Sequence, residues 1–532
     1  MHWQQSYDPL GSPLLSTCAA ALPIVILLGC IASGRVKAHY AALLGLFSAL
    51  AIATGVLGMP VRAATAAAAY GAAYGLLPIG WIVINILFLY QLTKEHGAFD
   101  KMQASIASLS SDRRLQLVLI AFSLGAFFEG TSGFGTPVAI TGALLIGLGF
   151  SPLQASGLSL IANTAPVAFG AMGTPIIALQ GVTGIDALTL SKMVGRQLPF
   201  FSVLVPFWLI WAYDGFRGVK EVWPALLVAG ISFAVPQFLM SNYHGPWLVD
   251  VVAALCSIVS VATFLRLRHR EPRASTAVER GSLHHWLPWL ILCVIVFVWG
   301  MTPTKTWLNG IFAPQLHVAG LDGIVQRMPP VVAAPQAEPA VFSLNILSAT
   351  GTSILLAALI GALVLGYKPI EMVRVYGRTL LIAWRSLLTI SAMLALGYLT
   401  RYSGLDAILG LAFARTGVLY PFFGTMLGWL GVALTGSDTS SNVLFGSLQK
   451  ITATQIGLSP VLMAAANSSG GVMGKMIDAQ SIVVASTATR WYGHEGKILR
   501  FVFLHSLALV ALVGTLVMLQ AYVFPFTRMV PH

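Results

Sequence analysis

Glu129-Gly-Thr-Ser-Gly-Phe-Gly-Thr-Pro137 and Gly436-Ser-Asp-Thr-Ser-Ser-Asn442 are two polar, glycine- and serine-rich stretches, each set between apolar runs. Each is followed by a Gly-Phe/Leu-Ser-Pro turn, Gly149 to Pro152 and Gly457 to Pro460. Each turn leads to a second interruption: Asn163-Thr-Ala-Pro-Val-Ala-Phe-Gly-Ala-Met-Gly173, then Asn467-Ser-Ser-Gly-Gly-Val-Met-Gly474. At bilayer depth, backbone outside a helix persists only where protein or a water-filled cavity satisfies its amides. Matched interruptions in two halves of a chain therefore point to a transporter's substrate site.

Composition puts these stretches in a bilayer. Of 532 residues, 57% are hydrophobic and only 9% charged, against about 25% charged in ordinary soluble domains. A crossing takes roughly twenty apolar residues. That gives about twelve spans, near 12–34, 38–57, 62–93, 153–187, 198–213, 222–240, 247–265, 286–301, 345–366, 379–399, 459–489 and 499–524. Two apolar hairpins, 115–150 and 417–456, are added, with arms too short and glycine-rich to be independent crossings. The fold class is all-α and polytopic, one membrane domain over 1–532.

The net charge of +12 does not indicate nucleic acid, because the basic residues are spread through short loops. If the spans alternate, Arg35, Lys37, Lys94, Lys101, Arg113, Arg114, Arg217, Lys220, the run from Arg266 to Arg280, Lys368, Arg374, Arg378, Arg490, Lys497 and Arg500 share one side. The positive-inside rule makes that side cytoplasmic. The loop 302–344 and both termini then lie outside. Cys18, Cys30, Cys256 and Cys293 fall in apolar spans with no metal spacing, so they are read as small core residues. The first ten residues lack a basic n-region, and the first span is expected to stay as an anchor.

The interruptions belong to a longer repeat. Leu92-Thr93-Lys94 with Gly97 and Asp100 recurs as Leu399-Thr400-Arg401 with Gly404 and Asp406. Repeat 1 covers about 62–265, with hairpin 115–150 and broken helix 153–187; repeat 2 covers about 379–524, with hairpin 417–456 and broken helix 459–489. Seven expected crossings separate Lys94 from Arg401. Seven is odd, so the second copy is inverted and two re-entrant hairpins meet near the midplane from opposite sides. Close helix packing at small residues accounts for one such break more readily than for four in matched order.

At these residues the chain resembles the lactate permease family, bacterial carriers of lactate and glycolate. The resemblance runs nearly end to end: Trp3-Gln-Gln-Ser-Tyr-Asp-Pro9, Glu129 to Pro137, Pro166-Val-Ala-Phe-Gly-Ala-Met-Gly173, Val194-Gly-Arg-Gln-Leu-Pro199, Arg327-Met-Pro-Pro330, Leu434 to Asn442 and Gly474-Lys-Met476. It implies proton-coupled symport of a 2-hydroxy monocarboxylate (L-lactate, D-lactate or glycolate) into the cell across a bacterial inner membrane. It also implies an elevator-like transport domain carrying both hairpins. Asp478-Ala479 stands where Ser-Pro is expected, and Thr131-Ser132 where two alanines are expected.

A small hydroxy acid needs its carboxylate neutralised and its hydroxyl hydrogen-bonded. Half-helix N-termini supply free amides and a positive dipole end without a basic side chain. The candidate substrate-binding residues are Thr131, Ser132, Gly133, Phe134, Gly135, Asn163, Thr164, Gly170 and Gly173 in the first half, and Ser437, Thr439, Ser440, Ser441, Asn442, Asn467, Ser468, Ser469 and Lys475 in the second. The plainer role for their hydroxyls and amides is to cap helix ends. Lys475 faces substrate, pairs with Asp478 three residues on, or snorkels to the periphery. Glu129, Asp438 and Asp478 are the candidates for the coupling proton, since a carboxyl at bilayer depth binds a proton and releases it when a cavity opens. For Asp438 the alternative is an N-cap.

A carrier of gluconate or dicarboxylates, a sodium-coupled carrier and a channel stay open. A membrane enzyme would need a metal cluster or an activated nucleophile, and the eleven histidines are scattered, mostly in loops. No cofactor motif is present; the glycine-rich tip follows no strand and is not a nucleotide loop. The expected partners are the monocarboxylate, the proton and lipid, with a homo-oligomer left open.

Overall fold

A chain in lipid satisfies its amides within each segment, so helix dominates. The computed structural model describes residues 2–531 except 33–35, 99, 102–108, 132, 134, 269–281, 333 and 493. Among the described residues, seven helices are long and apolar enough to cross a membrane, or up to nine if each of two bent pairs is one span. Four shorter apolar helices, Pro13–Leu27, His39–Gly55, Thr136–Gly147 and Thr350–Val364, fall below that length. The count of unbroken helices is thus lower than twelve.

Part of the difference is a matter of folding back. Helix α6 (Leu198–Tyr243) doubles over at Gly215 (φ 68°, ψ −168°), a backbone region that is essentially glycine's alone. Ser202 consequently donates to Gln237 at 2.6 Å, and Gly230 packs on Val203. These arms are the expected spans 198–213 and 222–240.

Ahead of α6, α1 (Val61–Glu95) is followed by α2 (Arg113–Thr131) and α3 (Thr136–Gly147). Gly125 of α2 lies against Thr141 of α3, so the two form a hairpin. At 19 residues, α2 is long enough to cross by itself; the expectation that both arms are too short holds only for α3. Next come α4 (Pro152–Ala162) and α5 (Val167–Thr183), bent by 62°. After α6 comes α7 (Val249–Leu267).

In the second half, α8 (Pro369–Ser403) runs antiparallel to α1: Gly71 packs on Leu394, Gly75 on Ser391, and Glu95 pairs with Arg378 at 2.9 Å. The second hairpin is α9 (Tyr420–Thr435) and α10 (Asp438–Gln455); α9 ends the 31-residue apolar helical stretch Leu405–Thr435, long enough to cross, so the expectation of a short arm fails here as it does for α2. It is pinned where Tyr420 donates to Gln449 (2.7 Å) and Gln449 to the Gly424 carbonyl (2.6 Å). Then follow α11 (Pro460–Gly474) and α12 (Ala479–Ala488). The second break differs from expectation. Asn467 to Gly474 stays helical, because Gly470, Gly471 and Gly474 pack flat on α9 and α10 without losing their own helix hydrogen bonds. The interruption falls at Lys475–Asp478.

The segment 302–344 is not an irregular loop. It holds the helix Thr302–Ile311 and short strands, so the all-α expectation is qualified by five strands of two or three residues. Trp3–Gln4 pairs in parallel with Val325–Gln326 and ties the N-terminus to this cap. Glu338 joins the cap to α8 through Arg327 (2.8 Å) and Arg401 (2.6 Å). The cysteines are not core residues: Cys18 is exposed and the other three are half-buried. Residues 99 and 102–108 after α1, and Arg35, His269, Arg270, Arg273 and Arg280, lie outside the described residues.

Candidate functional site

Both hairpin turns and both helix breaks converge. Gly133 of the first turn packs on Ala171 of the first break. Gly135, the N-cap position of α3, faces Val484 of α12. Asn442 of α10 donates to the Pro175 carbonyl of α5 at 3.2 Å. The first break is held in unusual backbone: Ala171 (φ 43°), Met172 (φ 58°) and Gly173 (φ 76°) are all left-handed. For non-glycine residues this costs of order 1–3 kcal/mol each and persists only where the surroundings over-determine it; here Gly173 is wedged against Pro246.

Glu129 is buried and accepts from Asn163 Nδ2 at 3.1 Å, while Asn163 Oδ1 has no partner among the described residues. Gly170 makes room for it, since a methyl there would stand 2.5 Å from Glu129 Oε1. In the second half, Asp438 Oδ2 accepts from Ser468 (2.5 Å) and Asn442 (3.3 Å), and Oδ1 has no partner among the described residues. Asn467 donates to Asn442 at 3.0 Å, continuing the network. The N-cap of α10 is Ser437, which accepts from the Ser440 amide; Asp438 is therefore not the cap. The capping carboxylate is Asp478, which accepts from Ser481 N at 2.7 Å.

Lys475 is committed to protein groups. It donates to the Gly436 carbonyl at 2.6 Å and lies 3.6 Å from Asp478. That is the internal-pair alternative, and the lysine also neutralises the negative end of α9.

Several other expected residues are present but already engaged. Thr131 bonds the Phe127 carbonyl (2.9 Å), Thr164 that of Ile161 (2.8 Å) and Ser441 that of Gly428 (3.0 Å). Ser469 donates to Gln197 at 2.6 Å. Thr439 is buried near the second turn. Ser132 and Phe134 lie outside the described residues.

One residue was missed. Asp250, in the first turn of α7, is 1% exposed, and neither carboxyl oxygen has a partner among the described residues. It packs on Gly130, the neighbour of Glu129. Its signal was a lone acid at the head of the apolar run 247–265, where an intramembrane ionisable residue is a site candidate by default. A vestibule of about 970 Å³ opens nearby, lined among others by Tyr70, Tyr74, Trp247, Lys305 and Asn309.

The profile of the L-lactate permease family matches residues 16–524. The chain belongs to that family. This permease is 47% identical to the glycolate permease GlcA of Escherichia coli K12, over 98% of both chains. It is 46% identical to the L-lactate permease of Salmonella typhimurium, over 99% of this chain and all of that one (100%). Among solved structures, the YdaH transporter of Alcanivorax borkumensis is similar with a TM-score of 0.45 and 16% identity, covering 85% of this chain and 86% of that one. The permease is a multi-pass membrane protein and not an enzyme.

Proposed function

We propose that this permease carries a small 2-hydroxy monocarboxylate (L-lactate, with D-lactate and glycolate in the same class) into the cell together with a proton. The observation that carries the proposal is the meeting of two hairpin turns and two helix breaks around the buried acids Glu129 and Asp438. The names of the relatives supply the substrate class. The antiparallel run of α1 and α8 supports an inverted repeat. An elevator-like motion would then carry both hairpins, in a cell inner membrane with both termini outside.

In this reading the substrate carboxylate lies between the turns, toward the N-terminus of α3. Among the described residues that end carries no side-chain cap, whereas Ser437 and Asp478 occupy the ends of α10 and α12. The free Asn163 Oδ1 accepts the 2-hydroxyl. Lys475 acts one step back, fixing the second turn. Asp478 is engaged as cap and ion-pair partner, which leaves Glu129 and Asp438 of the three expected acids to titrate.

The test is uptake of labelled lactate and glycolate by the purified permease in liposomes, with pH and sodium gradients imposed separately. Uptake driven by an acidic exterior without sodium is expected. Uptake driven by sodium alone would overturn the coupling.

A further inference from the structure

We propose that Asp250 is a proton-coupling residue of this permease, taking up the proton that accompanies the substrate and sharing it with Glu129; this rests on the proton-symport reading above. Every other acid of the cluster has a donor. Glu129 has Asn163, Asp438 has Ser468 and Asn442, and Asp478 has the Ser481 amide with Lys475 nearby. Asp250 has none among the described residues, at 1% exposure. A carboxylate left so is among the most costly things a protein buries. A proton removes that charge and turns the acceptor into an O–H donor. Gly130 packs on the Cβ of Asp250, next in the chain to Glu129, and Glu129 accepts from Asn163, whose Oδ1 has no partner among the described residues.

The charged surroundings are few. Glu129 is the ionisable group of α2 that interacts with Asp250, with Lys475 and Asp478 interacting with Glu129 from the second break. Helix α5 carries no ionisable residue. The acids Asp214 and Glu221 of α6 are held at the Gly215 bend by Arg114, and His244 at its other end stacks on Phe297. Lys305 lies over the Trp247 ring at 3.5 Å, and among the described residues no cation is paired with Asp250. Trp247, three residues before Asp250 in the chain, lines the 970 Å³ vestibule, the side from which a proton would approach.

Asp250→Asn keeps shape and burial while removing the titration. In proteoliposomes the variant should lose lactate accumulation driven by an acidic exterior, yet still exchange internal for external lactate. Asp250→Glu should accumulate. Accumulation by Asp250→Asn equal to the parent's, with the parent proton-driven, overturns this proposal and leaves the symport reading intact. A parent driven by sodium alone overturns both, and the oxygens of Asp250 and Asn163 would then be read as cation ligands. Should Asp250→Asn not fold, the parent permease is treated with a membrane-permeant carbodiimide, which modifies protonated carboxyls, and the modified residue is located by peptide mass spectrometry. Labelling of Asp250 that declines as pH rises is expected; labelling of Glu129 with Asp250 untouched overturns the proposal.

Discussion

Lys475 donates a 2.6 Å hydrogen bond to the carbonyl of Gly436, so the break in one helix clasps the turn of the hairpin beside it. Gly436 ends α9 at φ 72°, where glycine pays no Cβ penalty. Its carbonyl is met by a buried ammonium that also lies 3.6 Å from Asp478.

Lys475→Ala should therefore act on the hairpin as a whole. A hydrogen bond to a charged group contributes about 1.5–3 kcal/mol, and Asp478 would be left without its cation. A lower melting temperature in detergent and a loss of lactate affinity of about ten- to a hundredfold are expected together. Adding Asp478→Asn, which removes the orphaned charge and keeps a capping oxygen, should recover part of the melting temperature. Asp478→Ala should recover less, because it also removes an N-cap worth about 0.5–2 kcal/mol. Weaker binding with an unchanged melting temperature would assign the lysine to the substrate instead.

Glu129→Gln and Asp438→Asn separate coupling from architecture. Glu129 has one side-chain donor, Asn163, so its amide should exchange lactate but not accumulate it against a gradient. Asp438 organises both Ser468 and Asn442. Its amide disturbs those bonds and should impair exchange and accumulation alike. Comparing the two rates in one liposome preparation decides the assignment, and the reverse pattern would make Asp438 the coupling acid.

Gly170→Ala should push Glu129 aside, since the new methyl would stand 2.5 Å from Oε1. Overpacking costs about 1–3 kcal/mol, which predicts uptake reduced about five- to a hundredfold. Gly147→Ala, where nothing lies within 4 Å, is the control and should transport normally. Equal uptake by the two variants would remove the steric role assigned to Gly170.

Glu338 should make the cap sensitive to acid. Burial alone would raise its pKa, but Arg327 and Arg401 hold it below the ordinary glutamate value. A carboxyl with a depressed folded-state pKa stabilises above its unfolded value, about 4.3, and that stability is lost as pH falls through the folded value. Thermal unfolding followed against pH should show an acid-side loss that Glu338→Gln removes. The variant should also be less stable near neutrality, by about 3–5 kcal/mol, the usual cost of leaving a buried partner charge uncompensated. An unchanged acid profile in Glu338→Gln would count against the role.

What the sequence carries plainly is local chemistry. The apolar runs, the Ser-Pro helix starts at Ser151 and Ser459 and the glycine-rich turns each act within a few residues, and each is found where its residues stand. The fold-back at Gly215 was legible because charged residues separate two apolar runs there. Where several glycines sit together, sequence misled: a glycine that opens a turn and one that lets two helices touch look alike. Gly436 does the first, and Gly470, Gly471 and Gly474 do the second.

By itself, then, the sequence determined that this chain is a membrane protein of helices with paired interruptions, and which family it belongs to, because hydropathy and turn chemistry are properties of short segments. Only the tertiary structure decided what each polar group faces. Lys475 turned to a carbonyl, Asp478 rather than Asp438 became a cap, and Asp250 came to pack on Gly130, next to Glu129 in the chain, with no donor among the described residues. Whether a buried charge is satisfied depends on atoms more than a hundred residues away in the chain, here α7 against α2, and no window along the sequence contains both.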